Sequence, residues 1–127
     1  MTTSSRELFE LCKEVYKATG WGQEPDISYL YKYWDNHDEL CVISIEKTDD
    51  ALVPAYTSDY LLEKLPRSVP NDHNGGSYWF DLCFGDSLMW HASYDNAFGD
   101  FIHDTHADTP LKALLKLTLK LHEEKTL

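Results

Sequence analysis

Paired cysteines are missing from this chain. It has three, Cys12, Cys41 and Cys83. The number is odd, no two are close, and none forms C-x-x-C. A disulfide scaffold and a cysteine-only zinc site are thereby excluded, and a reducing cytosol fits best. Long apolar runs are missing too, so no segment reads as a membrane-spanning helix. Basic residues are scarce: eleven Lys and Arg stand against twenty-two Asp and Glu, for a formal charge of −11. Phosphate binding needs concentrated Lys and Arg, which excludes nucleic acid and anionic membrane as direct partners. The chain has no Gly-rich phosphate loop, no G-x-S-x-G and no dinucleotide-binding pattern. No pair of carboxylates has neighbours that would drive its pKa values apart for acid–base work. The sequence therefore predicts neither an enzyme nor a cofactor. The opening Met1-Thr-Thr-Ser-Ser is polar and resembles neither a secretory signal nor an Arg-rich transit peptide.

What is present is enough for a folded core. The chain has 127 residues, 43% of them apolar. That is one domain's worth, 1–127, able to bury about two thirds of the surface its unfolded form exposes. The charge is lopsided. Residues 18–110 carry seventeen acids against Lys32, Lys47, Lys64 and Arg67, and the stretch 68–110 has no Lys or Arg at all. Its seven aspartates are Asp72, Asp81, Asp86, Asp95, Asp100, Asp104 and Asp108. A one-signed stretch sets up a potential that attracts cationic partners. The first six of these aspartates are the candidate binding residues. Ordinary solubility is the alternative use of such charge.

Periodicity gives the elements. Ser4 and Glu7 have capping-box spacing, and Leu8, Leu11, Cys12 and Val15 recur on one helical face until Gly20 and Gly22 end it. Tyr29, Tyr31 and Tyr33 alternate within 26–34. With the β-rich run 40–46 they predict a hairpin around Asn36-His37-Asp38. Residues 47–54 read as a polar connection turning at Pro54. A two-turn helix is predicted from the caps at Thr57–Asp59 to Leu65, stopped by Pro66, and 66–76 reads as a loop. Residues 77–84 and 87–94, linked by Gly85-Asp86, predict a second hairpin, in which Tyr78, Phe80, Leu82 and Phe84 alternate with Trp79, Asp81 and Cys83, and Leu88, Trp90 and Ala92 with Met89, His91 and Ser93, so that one face is buried and the other at least partly exposed. Residues 95–108 read as an acidic connection. Asp108 or Thr109 caps a last helix with Pro110 in its first turn and Leu111, Leu114, Leu115, Leu117 and Leu121 on one face. The strict alternation Leu115-Lys-Leu-Thr-Leu-Lys-Leu121 competes with that reading, since it is a strand pattern. The predicted fold class is α+β: a small antiparallel sheet of two hairpins packed against N- and C-terminal helices, in a single domain.

Two constellations carry potential chemistry. His103-Asp104-Thr105-His106-Ala107-Asp108 offers imidazole and carboxylate donors for a divalent metal, with His103, His106 and Asp104 as candidate ligands. Solvated loop histidines and a capping aspartate are the structural alternative. Cys83 and His91 lie on facing runs of the second hairpin, where a nucleophile pair needs hydrogen-bond reach. A two-residue turn sets Cys83 opposite Leu88, three rungs and about 10 Å from His91.

Two segments are similar to known proteins. Tyr56-Thr-Ser-Asp-Tyr-Leu-Leu-Glu-Lys-Leu-Pro66 resembles a block of small tailed-phage and prophage accessory proteins. Ala107-Asp-Thr-Pro-Leu-Lys-Ala-Leu-Leu-Lys-Leu117, running on to Leu121-His-Glu-Glu, resembles the helix that closes many of them. The resemblance covers about a quarter of the chain and implies an accessory protein in a bacterial cytoplasm, with no catalytic residue to carry over. The expected function is non-catalytic binding of a host protein that has a basic surface, by imitating nucleic-acid charge. The alternatives are an immunity-type inhibitor of a basic toxin, or a nucleotide-signal binder using Trp79 and Trp90 with Lys112 and Lys116. The oligomeric state stays open.

Overall fold

The computed structural model describes residues 3–21, 29–34, 39–44, 53–70, 77–85, 88–96 and 101–124, with backbone alone for 29–34 and 39–44. The turn at 36–38 and three candidate aspartates, Asp72, Asp86 and Asp100, lie outside the described residues. Contacts gather into two units, Met1–Tyr56 and Thr57–Leu127. Each is α+β with an antiparallel sheet.

In the first unit, α1 (Thr3–Thr19) buries Cys12 and Val15 completely, one helical turn apart. Burial pushes the Cys12 thiol up to about 12, the surroundings of a cysteine that fills space in a core. Gly20 ends the helix in the left-handed region (φ 70°), its amide donating to the Tyr16 carbonyl at 2.9 Å. A residue with a Cβ is strained in that conformation. β1 (Tyr29–Trp34) and β2 (Glu39–Ser44) form the expected hairpin, in register from Tyr29↔Ser44 to Trp34↔Glu39. The stretch read as a connection contributes β3 (Val53–Pro54), which pairs with the free side of β1. The sheet order is β2-β1-β3 and α1 packs on all three strands. Pro54 fits there because an edge strand has one side that needs no donor. Tyr56 is buried, and its hydroxyl donates to the Trp21 carbonyl at 2.6 Å.

The second unit opens with α2 (Ser58–Lys64), where the Thr57 hydroxyl accepts from the Tyr60 amide at 3.1 Å. Four strands follow as a meander: β4 (Ser68–Pro70), β5 (Ser77–Phe84), β6 (Trp90–Asp95) and β7 (Phe101–Ala107). The expected loop 66–76 therefore contains a short edge strand, and the expected acidic connection contains the other edge. The two hairpins read from the sequence lie in separate sheets. α3 (Pro110–Glu123) is a helix despite its alternating leucines. The Thr109 hydroxyl accepts from the Lys112 amide at 3.2 Å, and Pro110 occupies the first turn, where its missing donor costs nothing. Leu114, Leu115, Leu117 and Leu121 are fully buried. The helix covers one sheet face along β6 and β7 and also packs on α2. That face presents Ala92, Tyr94, Thr105 and Ala107. Tyr94 meets Phe80 edge to face at 5.8 Å and donates to the Pro66 carbonyl at 2.6 Å.

Two irregularities decide what the other face carries. The β5–β6 connection is longer than two residues. The Gly85 amide donates to the Met89 carbonyl, and Leu88 sits in the left-handed region at φ 61°. The register becomes Cys83↔His91 and Phe84↔Trp90, replacing the expected Cys83–Leu88 opposition. In β7, Ala92 pairs with Thr105 but Tyr94 pairs with Ile102, so His103 and Asp104 together oppose Ser93. His103 has φ 56°, as the first residue of a bulge often does.

Leu88 is 76% exposed, so its side chain contributes little burial to offset the strained backbone. Leu88→Gly is expected to raise stability by about 0.5–1 kcal/mol in urea unfolding, the relief of a left-handed non-glycine residue less glycine's extra unfolded-state freedom. A loss of stability of that size would show the turn to be unstrained.

Candidate functional site

α3 occupies one face of the four-stranded sheet. The opposite face, read from the pairing, carries three cross-strand rungs. The first is Trp79↔Asp95↔Phe101. The second is Asp81↔Ser93 with the bulge residue Asp104 beyond it. The third is Cys83↔His91↔His106. Each strand alternates sides, so the residues between these positions face α3.

Three of the six candidate aspartates, Asp81, Asp95 and Asp104, thus share one surface, although β5, β6 and β7 each supply only one. The other three are not described. Asp108 is used differently: its carboxylate lies 3.1 Å from Nζ of Lys112, whose side chain is almost wholly buried at the start of α3. Lys116 donates from Nζ to the His106 carbonyl at 3.1 Å. Both lysines therefore tie α3 to the end of β7, and neither stands at the rungs.

The His/Asp segment is part of an edge strand, not a loop, and the bulge divides its candidate ligands. The His103 ring meets the buried Tyr94 ring edge-on at 6.4 Å, on the side of α3. Burial lowers its pKa, against an opposing pull from Glu124. His106 and Asp104 face the other way. His106 stacks at a tilt on His91, with ring centroids 5.6 Å apart, and Nδ1 of His91 lies 3.8 Å from Oδ1 of Asp104. His103, His106 and Asp104 are not brought together, and no three His, Cys, Asp or Glu side chains among the described residues converge as a metal cage does. The His91 ring is seated over Gly85, where an added Cβ would come within 2.7 Å of it.

Cys83 and His91 are direct neighbours, contrary to the expected register. The thiol is nevertheless not activated. Cys83 is exposed, yet desolvation and the neighbouring Asp81 carboxylate, with the charges of Asp104 and Asp95 behind it, push its pKa up. A nucleophilic cysteine needs the reverse surroundings. Alkylation of Cys83 by iodoacetamide is therefore expected to be slower at neutral pH than that of an unperturbed thiol, and Asp81→Asn should speed it several-fold. Mass spectrometry of the modified peptide reads the rate. A fast reaction at pH 7 would show that the acids do not control this thiol.

The two indoles offered to a small-molecule pocket do not meet on one surface: Trp79 is on the open face, and Trp90 packs on Phe84 at 5.5 Å on the α3 side. An open depression of about 560 Å³ is lined by Asp59, Leu62, Glu63, Leu65 and Arg67. Two carboxylates for one guanidinium is the wrong balance for a phosphate ligand.

No protein-family model matches this chain, and no curated protein or solved structure does so significantly. The site presents carboxylates and aromatic rings on the face of an antiparallel sheet, which suits recognition of a cationic surface. Of the acids singled out by the charge bias, the sheet brings Asp81, Asp95 and Asp104 to one face. Sequence reading missed Trp79, Phe101 and His91 as their companions, because that depended on the register. Among the described residues, no helix is long and apolar enough to cross a membrane.

Proposed function

We propose that this protein is a non-catalytic accessory protein of the phage type. In a bacterial cytoplasm it occupies a host protein by setting the open face of its four-stranded sheet against a basic surface, as a nucleic acid would. The observation that carries this reading is the gathering of Asp81, Asp95 and Asp104 on one sheet face, within a stretch that has no Lys or Arg from 68 to 110. Diagonal neighbours on a sheet are about 7–8 Å apart and next-but-one strands about 10 Å. These spacings are close to the screening length at physiological salt, about 8 Å, so the three fields reinforce one another and are weakened by added ions. The resemblance of 56–66 and 107–117 to phage accessory proteins supports the setting. An inhibitor of a basic toxin would use the same face.

The test is capture from bacterial lysate on the intact, immobilised protein at about 0.05 M and about 0.5 M salt, beside the variant lacking all three carboxylates. The expected partner is basic, is held at low salt, is released at high salt, and is not held by the variant. A partner retained equally at both salt concentrations overturns the charge-mimic reading.

A further inference from the structure

We propose that the rung Trp79–Asp95–Phe101 is a receptor for a single arginine side chain presented by the partner protein. This rests on the reading of the open face as a protein-binding surface, and names the group that the face selects.

Three observations carry it. First, the three residues are in direct register on adjacent strands, Trp79↔Asp95 and Asp95↔Phe101. The two rings therefore flank one carboxylate, their backbones about 10 Å apart at sheet spacing. Second, both rings stand in solvent: Trp79 is 59% exposed and Phe101 58%, while Asp95 between them is half-buried. Core packing accounts for Phe80 and Tyr94 on the opposite side, but not for two large rings left outside on the same rung. Third, among the described residues no Lys or Arg is paired with Asp95. Arg67, which precedes the strand paired with β5, lines the depression with Asp59 and Glu63.

The chemistry selects arginine over lysine. A guanidinium is flat, delocalised and weakly hydrated. It can lie against aromatic faces while its N–H fork meets a carboxylate with two parallel hydrogen bonds. An ammonium is compact and strongly hydrated, and gains less between two rings. Asp81, diagonal to Asp95, adds a second negative charge within about 8 Å.

The test uses the intact chain, labelled with ¹⁵N, and three synthetic peptides that differ at one position in a neutral Gly/Ser background: arginine, lysine or citrulline. The Trp79 indole N–H resonance, identified by its loss in Trp79→Phe, is followed through each titration. The arginine peptide is expected to shift it saturably, with lysine at least about 5-fold weaker and citrulline inert. Phe101→Leu, followed at the Trp79 indole, and Trp79→Leu, followed at the Asp95 backbone amide, keep apolar bulk and remove the ring, and each should weaken arginine binding about 3- to 10-fold. Phe101→Tyr should retain it, and Asp95→Asn should lose about 10-fold. Equal binding of lysine and arginine, or no effect of both leucine variants, overturns the rung while leaving the acidic-face reading standing. No shift at Trp79 with the arginine peptide also overturns it. Failure of the lysate capture overturns the broader reading instead.

Discussion

Replacing Asp81, Asp95 and Asp104 together with asparagine is expected to weaken the hold on a cationic partner about 100-fold at low salt and to flatten its salt dependence. The magnitude follows from charge. A carboxylate meeting a cation at the edge of a contact contributes about 1 kcal/mol, the bulk-water value for unit charges about 4 Å apart, and each 1.4 kcal/mol is tenfold in affinity. The stability of the free protein should move the other way or not at all. The three carboxylates repel one another on one face, and like charges that near on a sheet are destabilising. A variant that melts at the same temperature or slightly higher, yet no longer holds its partner, shows that the charges are kept for binding. A variant that holds its partner as tightly as the parent would show that the face is not the contact. Calorimetric melting and binding isotherms at two salt concentrations read both quantities.

Leu117→Ala is expected to cost about 3–4 kcal/mol. Leu117 is wholly buried on α3, among Leu114, Leu115 and Leu121, which are equally inaccessible. Truncation loses the transfer energy of the deleted atoms and leaves a cavity that a helix seated on a sheet closes only in part. Chains of this size are stable by about 5–15 kcal/mol, so the loss is a large share of the total. Leu62→Ala, on the exposed side of α2, serves as the control and should cost less than about 1 kcal/mol. Equal shifts of the urea midpoint in the two variants would show that α3 is not the centre of this core.

Long periodic segments were legible and register was not. Both terminal helices could be read from apolar spacing and caps, and the decision between helix and strand at Leu115–Leu121 went to the Thr109–Pro110 start. Strands β3 and β4 were invisible because they are two or three residues long and each ends in proline. Their pairing comes from the neighbouring strand, not from their own propensity. β7 was hidden by its composition, since His, Asp and Thr supply no apolar alternation. The β5–β6 register was recoverable in principle. Cross-strand partners lie on the same side of a sheet, and the apolar residues of both runs are even-numbered. The sum of two partner numbers must then be even, as in Cys83↔His91. The two-residue turn assumed at Gly85-Asp86 gives an odd sum, as in Cys83 with Leu88. That contradiction between turn length and alternation was the available sign of a longer connection. Nothing in the local sequence announced that Leu88 would adopt a positive φ to close it. The candidate site shared this fate: its acids were evident from composition, while the rings and histidines beside them became neighbours only through pairing.

One doubled position in β7 settles more than its own geometry. Were His103 and Asp104 not both fitted against Ser93, every later residue of the strand would be turned over. Asp104 and His106 would be driven beneath α3, and the threonine that bridges to the carbonyls of Ala92 and Ala113 would be thrown out into water. Losing one of the doubled pair would instead leave a plain ladder, with Ile102 still opposite Tyr94 and Thr105 still opposite Ala92, whereas one residue lost or gained further along the strand would turn over everything beyond it. A change of length at this edge is thus tolerable at the doubled position and damaging elsewhere.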